Sequence, residues 1–431
     1  MATAPEQKIG PLSTSKIAAA MVAEVEADLP LLMHANKSVQ KPFETAGDGT
    51  VMDVIVPEMP TVGDGAWINE GDPLEVGGKG NELDYSNKAV PVVLKQKHVA
   101  FGLPSALEFA SIEDMENLVT KPYGSTLASS IQTEVADAAM NGSAFTAVLT
   151  GADKFPQVSE AIASIRKGRA YGKLYGVIGS TLNGKLSGEG IKYFNPQGAI
   201  SDIWKSARLG EYNGADWFTT PDVQDLVIPT GAPAASASVT IASTAIQNIT
   251  KGKKLFTNDA SEVWLQTSGY VSSGVSSGPV KGSVLTISGV NVADIFGNDL
   301  GESFSFKVLD TKIEDVSGTD QLFIKVKNPG YGDACYDGGS ANITSVTNVL
   351  GAGTYYRGII YAQNALCVAF GRFAKPVNAQ VGQYSGQNGV TIRTTSAYQV
   401  MKDRNVTRWD TLVGANLARP NWACELIVAK A

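Results

Sequence analysis

The feature that most constrains the fold is an abrupt change of composition at GAPAASASV, residues 231–239. From there to about residue 353 the chain consists of short strand-like runs between Gly, Ser and Asn turns, among them ASVTIAS, SVLTIS, SFSFKVLD and QLFIKVKN. Regularly spaced short strands of this kind are typical of a small closed β-barrel. Because the flanking sequence has a mixed pattern, we predict a β-barrel domain inserted into an α+β domain.

The flanking regions alternate between helical and strand-like patterns. Apolar residues at four-residue spacing predict a helix over residues 14–37, which Pro30 should kink or stop. Two β-rich runs, VMDVIVPE and KAVPVVLKQKHVAFG, enclose a polar, Gly-rich stretch and predict a two-stranded excursion. Further elements are predicted as a helix over 111–141 ended by Gly142, helices near 156–168 and 197–209, a strand at 174–179, and longer strands after the barrel.

Charge and composition argue against several classes of protein. Lys and Arg number 35 and Asp and Glu number 42, giving a net charge of −7, whereas binding through phosphate neutralisation needs a basic surface. The first residues do not resemble a secretory signal, and no apolar stretch is long enough to cross a membrane. Cys335, Cys367 and Cys424 lack zinc or redox spacing, so we expect three inert thiols in a reducing compartment.

Candidate catalytic residues are few. GVSSG at 274–278 matches the G-x-S-x-G nucleophile elbow, which requires a following helix and a later His. Pro279 and a strand-like run follow it instead, and both histidines, His34 and His98, precede it. Ser276 is therefore predicted to be an ordinary loop residue, and neither histidine has an evident partner. Because paired carboxylates and metal-ligand spacings are also missing, we predict a protein that is not an enzyme and uses no cofactor or metal.

The order of the elements resembles the major capsid protein of tailed double-stranded DNA bacteriophages, which has the Hong Kong ninety-seven fold. It resembles most the gene-five-type coat proteins of the P-twenty-two group, which carry an inserted β-barrel. TLASSIQTEVADAAMNG is similar to the end of the family's spine helix, and YGVIGSTLNGKLSGEGIKYFNPQGAISDIW to the entry of its A-domain. The closing RWDTLVGANLARPNWA resembles its last P-domain strands.

The resemblance implies an α+β capsid fold with an N-terminal arm, an extended E-loop, a spine helix, a P-domain and an A-domain, interrupted by the barrel. The implied segments are 1–46 for the arm, 47–103 for the E-loop, 104–155 for the spine helix and P-domain, 156–232 for the first part of the A-domain, 233–354 for the barrel, and 355–431 for the A-domain return and the P-domain C-terminal strands.

The function implied is self-assembly, as hexamers and pentamers, into the icosahedral head shell around double-stranded DNA. The implied partners are a scaffolding protein, a portal protein and DNA enclosed without sequence-specific binding, with no membrane. The implied location is the virion, after assembly in the cytoplasm of the bacterial host. Two alternatives stay open: an encapsulin-like nanocompartment shell, whose fold lacks a barrel, and a β-rich carbohydrate-binding or tail protein that stacks ligands on Trp264 and Tyr270.

Two groups of charged residues are candidates for contacts between subunits. The first is the KGKK loop with Lys251, Lys253 and Lys254, because the resemblance implies ionic contacts between capsomers through a loop of the barrel domain. The second is found in the closing stretch, where alternation would place apolar residues on a core face and leave other positions to neighbouring subunits. Its members are Arg408, Arg419 and Glu425. Solvated surface charges are the alternative for both groups.

The N-terminal helix has a thin, mostly Ala apolar stripe, which buries little area. We therefore expect residues 1–37 to contribute to assembly more than to the fold of the body.

Overall fold

The computed structural model describes residues 11–27, 29–37, 51–57, 87–104, 120–151, 153–193, 210–230, 234–235, 238–241, 262–268, 278–294, 298–316, 319–327, 335–337, 345–374, 380–402 and 404–430. The helices in this part of the chain are α1 (Pro11–Ala27), α2 (Pro30–Met33), α3 (Lys121–Gly142), α4 (Phe155–Lys167) and α5 (Ser180–Tyr193). Short 3₁₀ turns lie at Val400–Lys402 and Pro420–Trp422.

The strands are β1 (Val51–Pro57), β2 (Asn87–Val93), β3 (Lys95–Pro104), β4 (Phe145–Leu149), β5 (Leu174–Gly179), β6 (Glu211–Tyr212), β7 (Ala215–Thr220), β8 (Leu226–Ile228), β9 (Ser238–Ile241), β10 (Glu262–Ser268), β11 (Val284–Ala293), β12 (Asp299–Val316), β13 (Thr319–Lys327), β14 (Cys335–Asp337), β15 (Ser345–Asn348), β16 (Gly353–Ala362), β17 (Leu366–Gly371), β18 (Gln380–Ser385), β19 (Thr391–Gln399), β20 (Arg404–Leu417) and β21 (Ala423–Ala429).

The helices follow the predicted apolar patterns where both can be compared. Pro30 opens α2 after α1 has ended, as expected of a residue that is compatible only with the first turn of a helix. In α3 the predicted stripe of Leu127, Ile131 and Val135 is buried, and the helix ends at Gly142. The predicted start of this helix at residue 111 and the helix predicted near 197–209 lie outside the described residues.

A small closed β-barrel is present in the region where the sequence predicts one. Its strands pair in the order β12-β13-β10-β9-β15-β11, and β11 pairs in turn with β12, which closes the sheet on itself. β14 is added beside β11. Its interior is filled by alternate apolar residues such as Leu265, Ile287, Phe304, Phe306 and Ile324, each with 1% exposure or less. The finer domain boundaries stay a prediction.

The body of the protein contains two sheets. The seven-stranded body sheet has the order β4-β21-β16-β5-β7-β6, with β8 paired to the start of β16. The last strand, β21, therefore lies inside this sheet, parallel to β4 and antiparallel to β16. The five-stranded body sheet has the order β17-β20-β19-β18, with β3 paired to β20.

The predicted two-stranded excursion is present at its base. β1 and β2 pair antiparallel from Val51 opposite Val93 to Pro57 opposite Asn87, and the polar tip lies outside the described residues. The base packs on the five-stranded body sheet through a small apolar group, the ribbon seat. Its members are Val54, Val90, Val92, Leu94, Cys367, Ala369 and Ala418.

The N-terminal arm packs against its own subunit, which differs from the expectation drawn from its Ala-rich stripe. α1 contacts β18, β19 and α3. The apolar residues Met21, Val22, Val25, Leu29, Leu31 and Leu32 are each at most 1% exposed and belong to the main core. Ala20 and Ala23 are exposed, whereas the larger apolar side chains lie on the face that packs against the body. The arm is therefore part of the body's core.

The arm is also fixed by polar contacts. Asn36 bridges to β17 through Asn36 N to Leu366 O at 2.8 Å and Val368 N to Asn36 O at 3.2 Å. The turn between β18 and β19 is held from both sides, because Asn388 N donates to Glu26 Oε1 at 2.8 Å and Lys37 Nζ donates to Asn388 Oδ1 at 3.0 Å.

Candidate functional site at the barrel junction

The most highly organised polar site in the described part of the chain lies where the barrel meets the body. Alternate residues of β12 point in opposite directions, as in any strand. Phe304 and Phe306 fill the barrel, whereas Ser305 and Lys307 point to the body and are only 1% and 3% exposed. Ser305 N donates to Ala144 O at 2.8 Å, and the Ser305 hydroxyl lies 3.0 Å from that of Thr146. The barrel strand thus contacts the edge of the seven-stranded body sheet beside β4.

Lys307 carries its charge into this junction. Its Nζ contacts three oxygens, namely Met140 O, Ser143 Oγ at 3.0 Å and Glu425 Oε2 at 2.5 Å. The first two oxygens accept hydrogen bonds from the ammonium, and the contact with Glu425 is an ion pair. Met140 O lies in the last turn of α3, where the helix dipole favours a positive charge. Burial lowers the pKa of Lys307, and the neighbouring Glu425 carboxylate opposes that shift.

Glu425 connects Lys307 to a second cation. Arg357, on β16, donates from Nε to Glu425 Oε1 at 2.6 Å and from Nη2 to Asn141 Oδ1 at 3.2 Å. Its Nη1 lies 3.8 Å from Asp137 Oδ1 on α3, a carboxylate whose pKa is raised by burial. We call Lys307, Glu425, Arg357 and Asp137 the junction cluster. It joins the barrel, the neighbouring strands β21 and β16 of the body sheet, and α3, and its formal charges sum to zero when all four groups are ionised.

Further contacts surround the junction cluster. Ser164 Oγ donates to Glu302 Oε1 at 2.6 Å, and Lys167 Nζ donates to Leu300 O at 2.5 Å, so that α4 holds the start of β12. Arg169 Nε lies 3.4 Å from Asp294 Oδ2. Asn421 Nδ2 donates to Ala293 O at 3.1 Å. The barrel is therefore docked on the body through many side chains as well as joined to it by the chain.

The junction corrects the prediction made for Glu425. Its side chain is 0% exposed and pairs inside the subunit with Arg357 and Lys307, so it does not face a neighbouring subunit. The alternation argument failed because β21 is buried on both faces. Cys424, Leu426 and Val428 join the main core, while Ile427 packs on the other side with Ile228, Val284 and Leu350 at the base of the barrel.

The other predicted contact residues have different outcomes. Arg408 donates from Nε to Asp410 Oδ1 at 2.6 Å and keeps 41% side-chain exposure. The Arg419 guanidinium lies over the Trp422 ring at 4.6 Å. Both stay predicted subunit contacts. Lys251, Lys253 and Lys254 lie outside the described residues, as does Ser276.

Asp410 is a second buried carboxylate, with 1% exposure. Burial opposes its ionisation, but hydrogen bonds from Arg393, Gln96 and Arg408 outweigh this effect, so its pKa lies below the usual value. The two arginines and Gln96 connect β19, β20 and β3 across the five-stranded body sheet. This cluster connects three strands and stabilises the sheet.

His34 has partners that its sequence neighbours did not reveal. Its ring stacks on Tyr175 with centroids 4.1 Å apart and lies 4.6 Å from Phe218. Burial lowers its pKa; Asp216 opposes this shift, and Lys173 and Lys37 add to it. The histidine therefore holds the arm against the body sheet as a neutral aromatic ring.

The stacking face proposed for a carbohydrate binder is already occupied in part. Lys312 Nζ lies over the Trp264 ring at 4.5 Å, and its partner Glu314 accepts a hydrogen bond from the same ammonium at 2.7 Å. Tyr270 lies outside the described residues. Trp264 thus stabilises the outer face of the barrel through a cation–π contact.

Sequence reasoning missed Lys307 because it lies in a run that alternates normally, and it missed Arg357 because its partners are distant in sequence. In SFSFKVLD the position of Lys307 is the outward face of a barrel strand, where a lysine is expected to be solvated. Its burial depends on the body covering that face, which the local pattern does not encode.

Within the described ranges, no group of three or more His, Cys, Asp or Glu residues is arranged to hold a metal ion. In the same ranges, no helix is both long and apolar enough to cross a membrane.

Comparison with known proteins gives likeness only at the level of structure. No family model matches the chain, and no curated protein matches it. Mycobacterium phage Che8 is 10% identical, with 91% of this chain and 89% of that chain covered and a TM-score of 0.42. The capsid of Ralstonia phage GP4 is 8% identical, with coverage of 92% and 88% and a TM-score of 0.42. A virus-like particle from Pyrococcus furiosus is 8% identical, with coverage of 96% and 99% and a TM-score of 0.39.

Proposed function

We propose that the chain is the major capsid protein of a tailed bacteriophage, which self-assembles into the icosahedral head shell. The observation that carries this assignment is the order of elements along the chain. A docked arm, a two-stranded ribbon, the helix α3 and a mixed sheet are followed by a closed barrel, after which the chain returns to complete both body sheets. This is the order implied by the family resemblance of the sequence.

The geometry suits a shell subunit because it combines a stiff body with projecting parts. Strands from residues 95–104 and 404–417 pair in one sheet, and those from 145–149 and 423–429 pair in the other. These long-range pairings hold the body as one unit, which lets the same subunit keep its shape among hexamer and pentamer neighbours. The base of the ribbon is seated on the five-stranded body sheet, and we expect the segment that joins its two strands to contact the neighbouring subunits.

The partners follow from the same assignment. We expect a scaffolding protein during assembly, a portal protein at one vertex, and double-stranded DNA inside the shell. The net charge of −7 favours enclosure without tight binding, because a basic lining would hold DNA strongly and oppose its packing and release. The site of action would be the virion, after assembly in the host cytoplasm.

Electron microscopy of the purified protein, expressed with and without its scaffolding protein, tests the proposal. Closed icosahedral shells support it. Discrete small particles under both conditions, with circular dichroism showing folded protein, would contradict it. Shells that enclose an enzyme cargo in the native host would favour a nanocompartment instead.

The KGKK loop is our proposed contact between capsomers. Replacing Lys251, Lys253 and Lys254 by Glu one at a time should make shell yield fall and become salt-sensitive, because exposed ion pairs are screened by salt. Lys281→Glu is the matched control, since it is an exposed lysine of the same domain. If the loop variants and the control assemble alike, KGKK is an ordinary solvated turn.

In some shells of the family a Lys of the E-loop is joined to an Asn of a neighbour. Here the candidates are Lys79 and Lys88 on the excursion and Asn405 and Asn416 near the end of the sequence, and we predict no such cross-link. Asn416 is 5% exposed and donates from Nδ2 to Pro91 O at 2.7 Å, so its amide is occupied within the subunit. Boiling the shells in denaturing detergent with reductant should release monomers, whereas a ladder of multimers would refute the prediction.

A further inference from the structure

The barrel and the last strand of the chain depend on each other through one ion pair. Lys307 belongs to the barrel, and Glu425 belongs to β21, which lies between β4 and β16 in the seven-stranded body sheet. We propose that the Lys307–Glu425 pair makes docking of the barrel conditional on insertion of β21: the barrel docks on the body only after the last strand is in place.

The charge balance of the junction gives the first reason. Two of the three oxygens around Lys307 Nζ come from the end of α3 and are neutral, and Glu425 supplies the carboxylate in direct contact. Arg357, at 6% side-chain exposure, lies on the other side of that carboxylate. Docking without Glu425 would therefore bury two cations together, with only the half-exposed Asp137 at 3.8 Å to balance them. Burying an unpaired charge is strongly unfavourable, so Lys307 would remain in water and the barrel would remain undocked.

The apolar base of the barrel gives an independent second reason. Ile427, two residues after Glu425 on the same face of β21, packs with Ile228, Val284 and Leu350. Without β21 the barrel would lose this apolar floor as well as its counter-charge. The last strand thus supplies both the charge and the surface on which the barrel rests.

The contacts around the junction define the rival explanation. Ser164 and Lys167, on α4, bind Glu302 and Leu300 of the barrel without any contribution from β21. If these contacts were sufficient, the barrel would dock whether or not Glu425 carried a charge.

Hydrogen–deuterium exchange on the full-length unassembled chain separates the two explanations. The Ser305 amide donates to Ala144 O in the body and reports docking, whereas the Val308 amide donates to Ser283 O within the barrel and reports barrel folding. In Glu425→Gln, which keeps the shape but removes the charge, we expect exchange at Ser305 to rise roughly a hundredfold, while Val308 stays protected. The control Glu302→Gln removes a carboxylate from the outer contacts and should leave Ser305 protected.

A second variant guards against simple misfolding. Lys307→Met removes the buried cation, so Lys307→Met combined with Glu425→Gln should dock again and restore most of the Ser305 protection. Protected Ser305 in Glu425→Gln, or equal loss in Glu425→Gln and Glu302→Gln, would overturn the proposal. The proposal would also be overturned if Val308 lost its protection in Glu425→Gln and the double variant did not restore protection at Ser305. None of these measurements requires a shell, so they stand apart from the proposed function.

Discussion

Replacing Leu32 by Ala tests whether the N-terminal arm belongs to the core of the body. Leu32 is 1% exposed and lies within α2, as part of the main apolar cluster. An isolated helix of the length of α1 is only marginally stable in water, so the arm keeps its structure through contacts with the body. The Leu32 side chain should therefore contribute to docking the whole arm.

The expected effect follows from the burial. Truncating a fully buried Leu to Ala costs about 2–5 kcal/mol, depending on how far the surroundings collapse into the cavity. Because Leu32 lies between two clamped points, the α2 entry and the Asn36 bridge to β17, we expect little collapse and a cost of about 3 kcal/mol. The arm would then open on the order of a hundredfold more often.

Urea unfolding followed by tryptophan fluorescence and hydrogen exchange of α1 together provide the assay. Leu32→Ala should lower the unfolding midpoint and increase exchange in α1. The matched control is Ala23→Ser, because Ala23 is an exposed residue of the same arm and its change should stay within about 0.5 kcal/mol. If both variants behave like the unmodified protein, the arm is not part of the core and contributes to assembly more than to the fold of the body.

Three further changes test other parts of the structure. The pKa of Asp410 lies below its usual value of 3.8, so its contribution to stability is present above about pH 4 and is lost as the pH falls further. Asp410→Asn should lower the free energy of unfolding by about 3 kcal/mol at neutral pH and reduce the dependence of the melting temperature on pH in the acid range. A melting temperature that falls with acid as steeply as in the unmodified protein would contradict the assignment. The pKa of His34 is lowered from 6.5, so the protein should lose stability as the pH falls below 6.5, and His34→Phe should reduce this loss in the same series. A Cβ on Gly176 would lie 2.4 Å from Trp217 Cε3, so Gly176→Ala should cost about 1–3 kcal/mol in urea unfolding, whereas Gly184→Ala, where the added carbon meets nothing, should not.

The parts of the fold that were predictable from sequence are those set by local pattern. The barrel was recognised because its strands are short and its turns carry Gly, Ser and Asn, and the closed order of β9 to β15 confirms it. Pro30 and Gly142 marked the start of α2 and the end of α3 because their backbone chemistry acts locally.

The parts that were not predictable depend on what covers each face. Alternation assigned one face of β21 to the core, but nothing in the local sequence says that the barrel covers the other face and buries Glu425. The same limit applies to α1, where Ala residues were taken as a sign of weak packing. Met21 and Val25 are nevertheless fully buried, because β18, β19 and α3 cover the face of the helix that carries them.

The two described free thiols give the molecule a built-in chemical reporter. Cys367 belongs to the ribbon seat, whereas Cys424 lies inside the seven-stranded body sheet. Burial raises the pKa of Cys367 to about 12 and raises that of Cys424 as well, so neither should react with an alkylating reagent while it is covered. Lifting the ribbon would uncover Cys367 alone, and unfolding of the body would uncover both. With Cys335 replaced by Ser, the ratio of the labelling rates of Cys367 and Cys424 would therefore distinguish displacement of the ribbon from unfolding of the body. The same measurement can be made on the free protein and on shells.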